Sequence, residues 1–418
     1  MKYNLQQLCI LLACCFGGLS LTAENTDKDI FRVTNSSDNS FKNAPIVIPR
    51  NSFEQSFGVI KPGQTVHFYI SGNLVPSQLD DLNNDAIWDE IALAVDLDKN
   101  TTVEVKVVIN NDLHEFENQT NIRIGQFKNT KQEGSPIALE TLSRTAANLP
   151  ADFSRQFQME GPAWENQHVG FRLYFDERNG IDIFGKTTPK MALDKVGISE
   201  NYHQRQAWGM DILKVGRSLG AGALAFRESG KKDDVLTRLA NAEETVANIL
   251  AEGPVRSILE LSYKNLPIID DTANLTQRIT IWSGQHHYES EITVTGLSKD
   301  IDIAVGIVNF FDLKASQKID EKHVMLSTFG VQAEEKTLLG MGVLAEASKF
   351  STFGTIKKAD AGIEMSEYAT FKLDNNSPLK YQFFAVWEPG NASFKQHDDL
   401  INHMIEVSQH KQSISVDF

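Results

Sequence analysis

The densest chemistry in this sequence lies between Asn201 and Gly220, NYHQRQAWGMDILKVGRSLG, where Tyr202, His203, Arg205, Trp208, Asp211 and Lys214 crowd together ahead of a glycine-rich stretch. Titratable and aromatic side chains with so few apolar neighbours are poor material for a core and suit a loop that lines a site. A lone histidine is more often a surface or satisfied core residue than a catalyst. His203 flanked by a phenol and a guanidinium points instead to a functional role.

A second stretch, Gly161 to Lys186, reads GPAWENQHVGFRLYFDERNGIDIFGK. If Val169, Phe171, Leu173 and Phe175 face a core, Arg172, Tyr174 and Asp176 project together from the other face. A guanidinium beside a phenol and a carboxylate is useful on the wall of a cleft, whereas an exposed sheet face would make it an ordinary ion pair. Trp164 could stack on a sugar ring, with Glu165 and Asn166 bonding to its hydroxyls. A third set joins Gln277 and Arg278 to Trp282-Ser283-Gly284-Gln285-His286-His287-Tyr288. Arg278 and Trp282 share one strand face, and at most one of the two adjacent histidines reaches a given pocket. No HExxH, P-loop, dinucleotide fingerprint or nucleophile elbow is present, which removes the commonest zinc, nucleotide and acyl-transfer chemistries.

The segment Asp80 to Glu90, DDLNNDAIWDE, places Asp81, Asn83, Asp85 and Asp89 at the first, third, fifth and ninth positions of a calcium loop. The helical-loop version wants Gly at position six and Glu at twelve, where this chain has Ala86 and Ala92. A structural calcium and a hydrated acidic turn are the two readings. No other cofactor is implied.

The elements that must position these groups are mostly strands. Period-two alternation marks Thr102–Ile109, His168–Asp176, Val255–Tyr263, Leu275–Trp282 and His287–Thr295, and Lys380–Trp387 is an apolar run with a mixed pattern. A further strand is expected near Ile30–Val33. Glycine, asparagine and aspartate clusters separate many of them, so the expected fold is mainly β, a large antiparallel, supersandwich-like β-sandwich. Residues 24–418 form one large domain in this reading, with 24–125 as an N-terminal β subregion. Asp234–Glu252 looks helical by composition but runs into Gly253-Pro254, and is read as a hairpin. A C-terminal helix is expected, with Ser393 and Gln396 as a capping box and Phe394, Ile401, Met404 and Ile405 as the apolar stripe.

Residues 1–23 read as a signal peptide, with Lys2 ahead of an apolar run and Leu21-Thr22-Ala23 as the cleavage point. Cys9, Cys14 and Cys15 all lie within it, so the mature chain has neither thiol nor disulfide. A periplasmic location follows; acylation of Cys14 as a lipid anchor, or secretion, are the alternatives. No later segment approaches the roughly 20 apolar residues of a membrane-spanning helix. The formal charge of −15 offers no electrostatic footprint for nucleic acid, while a local cluster of Arg, Lys and His can still receive an anion. No obligate protein partner is implied.

The motifs GPAWENQHVGFRLYFDERNGIDIFGK, YHQRQAWGMDILKVGRSLGAG and GPVRSILELSY together resemble a bacterial domain family long labelled as of unknown function. Its members accompany enzymes that degrade pectin and algal uronate polysaccharides, and some are similar in role to ulvan oligosaccharide dehydratases. The resemblance covers most of the mature chain. It implies removal of water from a non-reducing-end glucuronate to give the 4,5-unsaturated sugar. That chemistry needs a cation to neutralise the uronate carboxylate, a base for the C5 proton and an acid for the departing C4 hydroxyl. Arg172, Arg205 or Arg278 would neutralise; His203 and Tyr202, their pKa values lowered by nearby cations, would be the base and acid, with His287 in reserve. Trp164 and Trp208 would hold the ring and Glu165 its hydroxyls. A polysaccharide lyase, which expels a sugar rather than water, and a non-catalytic sugar-binding sandwich are the competing readings.

Overall fold

The computed structural model describes residues 29–149, 154–228, 235–269, 271–299, 301–359 and 362–418. The stretch 1–23 expected to be a signal peptide, with all three cysteines, lies outside these residues. Strands dominate: Thr101–Asn110, Val169–Leu173, Arg256–Ile268, Asp271–Trp282 and His287–Thr295 fall where alternation placed them, and the apolar run with a mixed pattern is the strand Leu379–Trp387. Ile30–Asn35 is also a strand.

Two apolar cores organise the chain. The smaller lies between a sheet containing Ile30–Asn35, Thr65–Ile70 and Thr101–Asn110 and one built from Phe41–Pro49, Ser77–Asp80 and Glu90–Leu97, with Phe31, Phe53, Phe68 and Leu93 buried between them. The last strand, Ile414–Asp417, returns to pair antiparallel with Ile30–Asn35. The larger core lies between a nine-stranded antiparallel sheet and two five-stranded sheets. Tyr288 and Tyr381 project from the large sheet into this core and donate their hydroxyls to the carbonyls of Ala221 and Gly222, both at 2.8 Å. Those carbonyls are available because the ladder slips between Ala221 and Leu224, a bulge that frees backbone from pairing.

The two cores meet at Arg256. Its buried guanidinium is held by Asp80 at 2.6 Å and by Glu90, and lies over the Trp282 ring. The ends of the acidic Asp80–Glu90 segment therefore clamp the N-terminal sandwich onto the large sheet.

The described part of the stretch expected to be a hairpin, residues 235–252, is not one. Leu236–Arg238 pairs with Ala225–Arg227 in one sheet, whereas Glu244–Ala251 joins the nine-stranded sheet between Thr141–Thr145 and Arg256–Ile268. Its two strands serve opposite layers, a relationship that local pattern does not encode. The C-terminal helix runs His397–Ser413, and its cap differs from the expected one: Asp399 accepts the backbone N–H groups of Lys395 and Gln396 at 2.9 and 3.1 Å. Phe394, Leu400, Ile401 and Met404 are buried, and the helix packs on Phe384 and Val386 of the large sheet. Among the described residues no helix is long and apolar enough to cross a membrane.

Candidate functional site

Four neighbouring strands of one five-stranded sheet, Ala163–Asn166, Val169–Leu173, Ile181–Lys186 and Gly209–Asp211, carry an unusual row of charge on one face. Pairing registers Arg172 against Asp182 and Phe184 against Asp211. Glu165 and Lys186 fall on the same face by alternation. The other face, with Trp164, Phe171 and Ile183, belongs to the large core. Gly209 makes the last pairing possible: at φ +138°, an added Cβ would stand 1.8 Å from the Gly185 carbonyl oxygen. Only glycine lets this strand approach closely enough to bring Asp211 beside Arg172.

Arg172 is the hub. Its guanidinium donates to Asp182 Oδ2 at 2.7 Å, Asp211 Oδ2 at 2.9 Å, the Tyr174 hydroxyl at 2.8 Å and the Tyr202 hydroxyl at 3.0 Å. Tyr174 in turn donates to Asp182 at 2.5 Å. The segment after Lys186 roofs this face: Leu193, Val196, Tyr202 and Trp208 pack on Met159, Ala163 and Phe184. A hydrogen bond from the Asp211 N–H to the Tyr202 carbonyl at 2.8 Å ties the roof to the strand below. At its open edge His203 places Nδ1 3.1 Å from Asp211 Oδ2, while 62% of its side chain is exposed. Its Nε2 has no hydrogen-bond partner among the described residues.

Electrostatics follow from the burial of this network. Burial opposes the Arg172 charge, but Asp182, Tyr174 and Asp211 outweigh it and hold the guanidinium protonated. Burial first, and Asp211 second, push the Asp182 carboxyl above the usual carboxylate range. His203 is raised by its hydrogen bond to Asp211. Tyr202 is also raised, because burial outweighs the pull of Arg172. The expectation that nearby cations lower both groups is therefore overturned: each cation here is already matched by a carboxylate. A phenol that keeps its proton and an imidazole fixed by a carboxylate are the parts of an acid–base pair.

The structure thus brings Arg172, Tyr202 and His203 into one network, with Trp208 half-buried against Phe184 at the edge of the same roof. Arg205 is exposed on that loop, paired with Glu335 and lying 4.4 Å above the Trp387 ring. Three other expectations are corrected. Trp164 has no exposed surface and stacks on Phe171, so no sugar can reach its ring. Glu165 is fully buried, ion-paired with Lys186, and accepts the N–H groups of Ala192 and Leu193 at 2.7 Å each. It holds the roof down, and substrate hydroxyls do not reach it. Asp176 pairs with Arg178 rather than joining Arg172.

Arg278 and His287 lie elsewhere. Arg278 pairs with Glu260 at 2.9 Å on the nine-stranded sheet. His287 is buried on the next strand beside Gln382, its ring tilted against Phe384. Neither touches the Arg172 network. In the calcium-like loop, Asp81 accepts backbone N–H groups from Asp85 and Ala86, Asp85 accepts that of Ile87, and Asp89 accepts that of Leu82. These carboxylates close tight turns, and among the described residues no group of three or more His, Cys, Asp or Glu is arranged to hold a metal ion.

Sequence reasoning missed Asp182 altogether and gave Asp211 no role. A signal for Asp182 existed: Arg172 and Asp182 are equidistant from Glu177, so a hairpin folded about the turn preceding Asn179-Gly180 sets them opposite each other.

The sequence matches the family described as "Domain of unknown function (DUF4861)" over residues 33–416. No curated protein matches it. Among solved structures, it is similar to an alpha-mannosidase from Enterococcus faecalis V583 (10% identity, TM-score 0.41, covering 93% of this chain and 45% of that one). It is also similar to a glycosyl hydrolase family 38 protein from Enterococcus faecalis (10% identity, TM-score 0.44, 93% and 47% covered). A third similar structure is the periplasmic domain of the Thermotoga maritima YidC (13% identity, TM-score 0.28, 59% and 94% covered). The chain spans less than half the length of the first two. Resemblances this distant carry no activity across.

Proposed function

We propose that this chain, which belongs to the DUF4861 family, is an exported acid–base enzyme that dehydrates a non-reducing-end glucuronate on ulvan-type oligosaccharides. The observation that carries the proposal is the His203–Asp211 pair, 3.1 Å apart, at the open edge of a buried network that includes the Tyr202 phenol. Asp211 engages Nδ1 and thereby fixes the tautomer that presents Nε2 as a base.

In the proposed step, His203 Nε2 takes the proton from C5 of the uronate. The C–H pair becomes the C4–C5 double bond, the C4–O bond breaks, and Tyr202 protonates the departing hydroxyl to give water. Transfer of the proton from His203 back to Tyr202 through solvent restores both groups. Arg172 is sealed from substrate and acts by positioning Asp211 and Tyr202. The uronate carboxylate is assigned to Arg205, the exposed guanidinium of the same loop.

The test is incubation of the mature protein with saturated, glucuronate-terminated ulvan oligosaccharides, following ultraviolet absorbance of the conjugated alkene together with product mass. Loss of one water at constant chain length is the expected result. Absorbance with shortened chains would replace the dehydratase by a lyase using the same base, and binding without either change would replace it by a sugar-binding module.

A further inference from the structure

A cavity of about 580 Å³ lies under the C-terminal helix, where the N-terminal sandwich, the Trp282–His287 turn and the helix meet. The His203 chemistry makes no use of it. Along the strand Leu379–Trp387, Phe384 and Val386 pack beneath the helix, whereas Phe383, Ala385 and Trp387 face the large core. Gln382 shares the helix side with Phe384 and lines the cavity. Trp387, which carries Arg205, is on the opposite side. The cavity is therefore separated from the His203 edge by the sheet itself.

Its volume falls within the range of about 300–1,000 Å³ typical of small-molecule sites. Its polar lining includes three amides, Gln285, Gln382 and Asn391, and the imidazoles of His286, His287 and His403. Asn391 bonds to His286 at 3.1 Å and Gln382 approaches His287 at 3.3 Å. Burial keeps His286 neutral, aided by the surrounding histidines. The one lysine at the rim, Lys42, is paired with Asp96 at 2.8 Å, and Glu289 is engaged by Gln382 at 3.0 Å. Rings of Phe41, Trp282 and Phe394 supply apolar edges. His403 lines the same wall, its Nδ1 3.9 Å from Glu406.

Lys42 is the single lysine or arginine of the lining, and Glu289 and Glu406 are its carboxylates. Amides and imidazoles, which offer donors and acceptors beside aromatic edges, match a neutral ring bearing hydroxyls. We infer that this cavity is a second carbohydrate-binding site, which takes one or two neutral sugar units independently of the reaction at His203.

Calorimetric titration with lactose, cellobiose and xylobiose tests the assignment, with a galacturonate dimer as the anionic comparison. At least one neutral disaccharide should bind one-to-one and more tightly than the galacturonate dimer. Asn391→Ala should weaken that binding about tenfold with an unchanged Tm, and His203→Ala should leave it unaltered. Gln382→Ala reads the same wall if the Asn391 variant does not fold. The inference is overturned if none of the three disaccharides binds, if the galacturonate dimer binds best, or if binding is lost in His203→Ala and retained in both cavity variants.

Discussion

His203 Nδ1 and Asp211 Oδ2 stand 3.1 Å apart, and the same carboxylate oxygen receives Arg172 at 2.9 Å. One oxygen thus joins a buried cation to an exposed imidazole. The strand Gly209–Asp211 supplies the carboxylate, the roof loop supplies the histidine, and neither would be in place without the close approach at Gly209.

Asp211→Asn keeps the shape of this contact and removes its charge. Since the hydrogen bond to Asp211 raises His203, the variant should titrate nearer the ordinary imidazole value of about 6.5. The base limb of the kcat/KM profile should move to lower pH. Turnover at neutral pH should fall by roughly 10²–10⁴, the range lost when a catalytic base or its orienting carboxylate is removed. An unmoved limb would disconnect Asp211 from the base.

Arg172→Ala should destabilise the fold by about 3–5 kcal/mol in urea unfolding, because it strands two carboxylates that are 1% and 5% exposed. Arg172→Lys should not restore wild-type stability, since an ammonium cannot reproduce the planar fork that serves two aspartates and two phenols at once. A loss below about 1 kcal/mol in the alanine variant, the value of a surface pair, would contradict the buried-hub description.

Glu165→Gln separates structure from recognition. Glu165 accepts two roof N–H groups and pairs with buried Lys186. The variant should therefore lose a few kcal/mol of stability by leaving that lysine charge unpaired. Hydrogen exchange at Ala192 and Leu193 should accelerate in parallel. A change confined to substrate KM, with stability and exchange unaltered, would return Glu165 to a sugar-contacting role.

How far the sequence disclosed this arrangement depended on which forces leave a local trace. Strands such as His287–Thr295 were legible because one side chain in two meets the core. Ile301–Val308, buried along its whole length, lacks that alternation. The grouping of Tyr202 and His203 with Arg172 could be anticipated only from their chemistry, since it depends on a roof loop crossing a sheet. Trp164 and Glu165 misled for the opposite reason: a tryptophan and a carboxylate in a turn-like motif look exposed until the partners Phe171 and Lys186, distant in pattern, are known to cover them. Asp234–Glu252 failed because its two strands pair with sheets on opposite sides of the core.

His286 gives a pH dependence whose sign can be worked out. Burial holds its folded pKa well below the ordinary value, with His168, His403 and His287 adding repulsion. Above about pH 6.5 the ring is neutral in both folded and unfolded chains and contributes no pH dependence. As pH falls below that value the unfolded chain takes up a proton that the folded chain refuses, so stability drops with acidification. Lowered carboxylates such as Asp96 and Asp271 add to the loss at still lower pH, as they must be protonated on unfolding. His286→Asn removes the titration and keeps a polar group within reach of Asn391. The difference in Tm between wild type and variant should therefore be constant above neutrality and shift against the wild type between about pH 6.5 and 5. Parallel Tm curves through that interval would mean that the folded chain takes up the His286 proton as readily as the unfolded chain, and the seam between helix and sandwich would then accept a charge rather than exclude one.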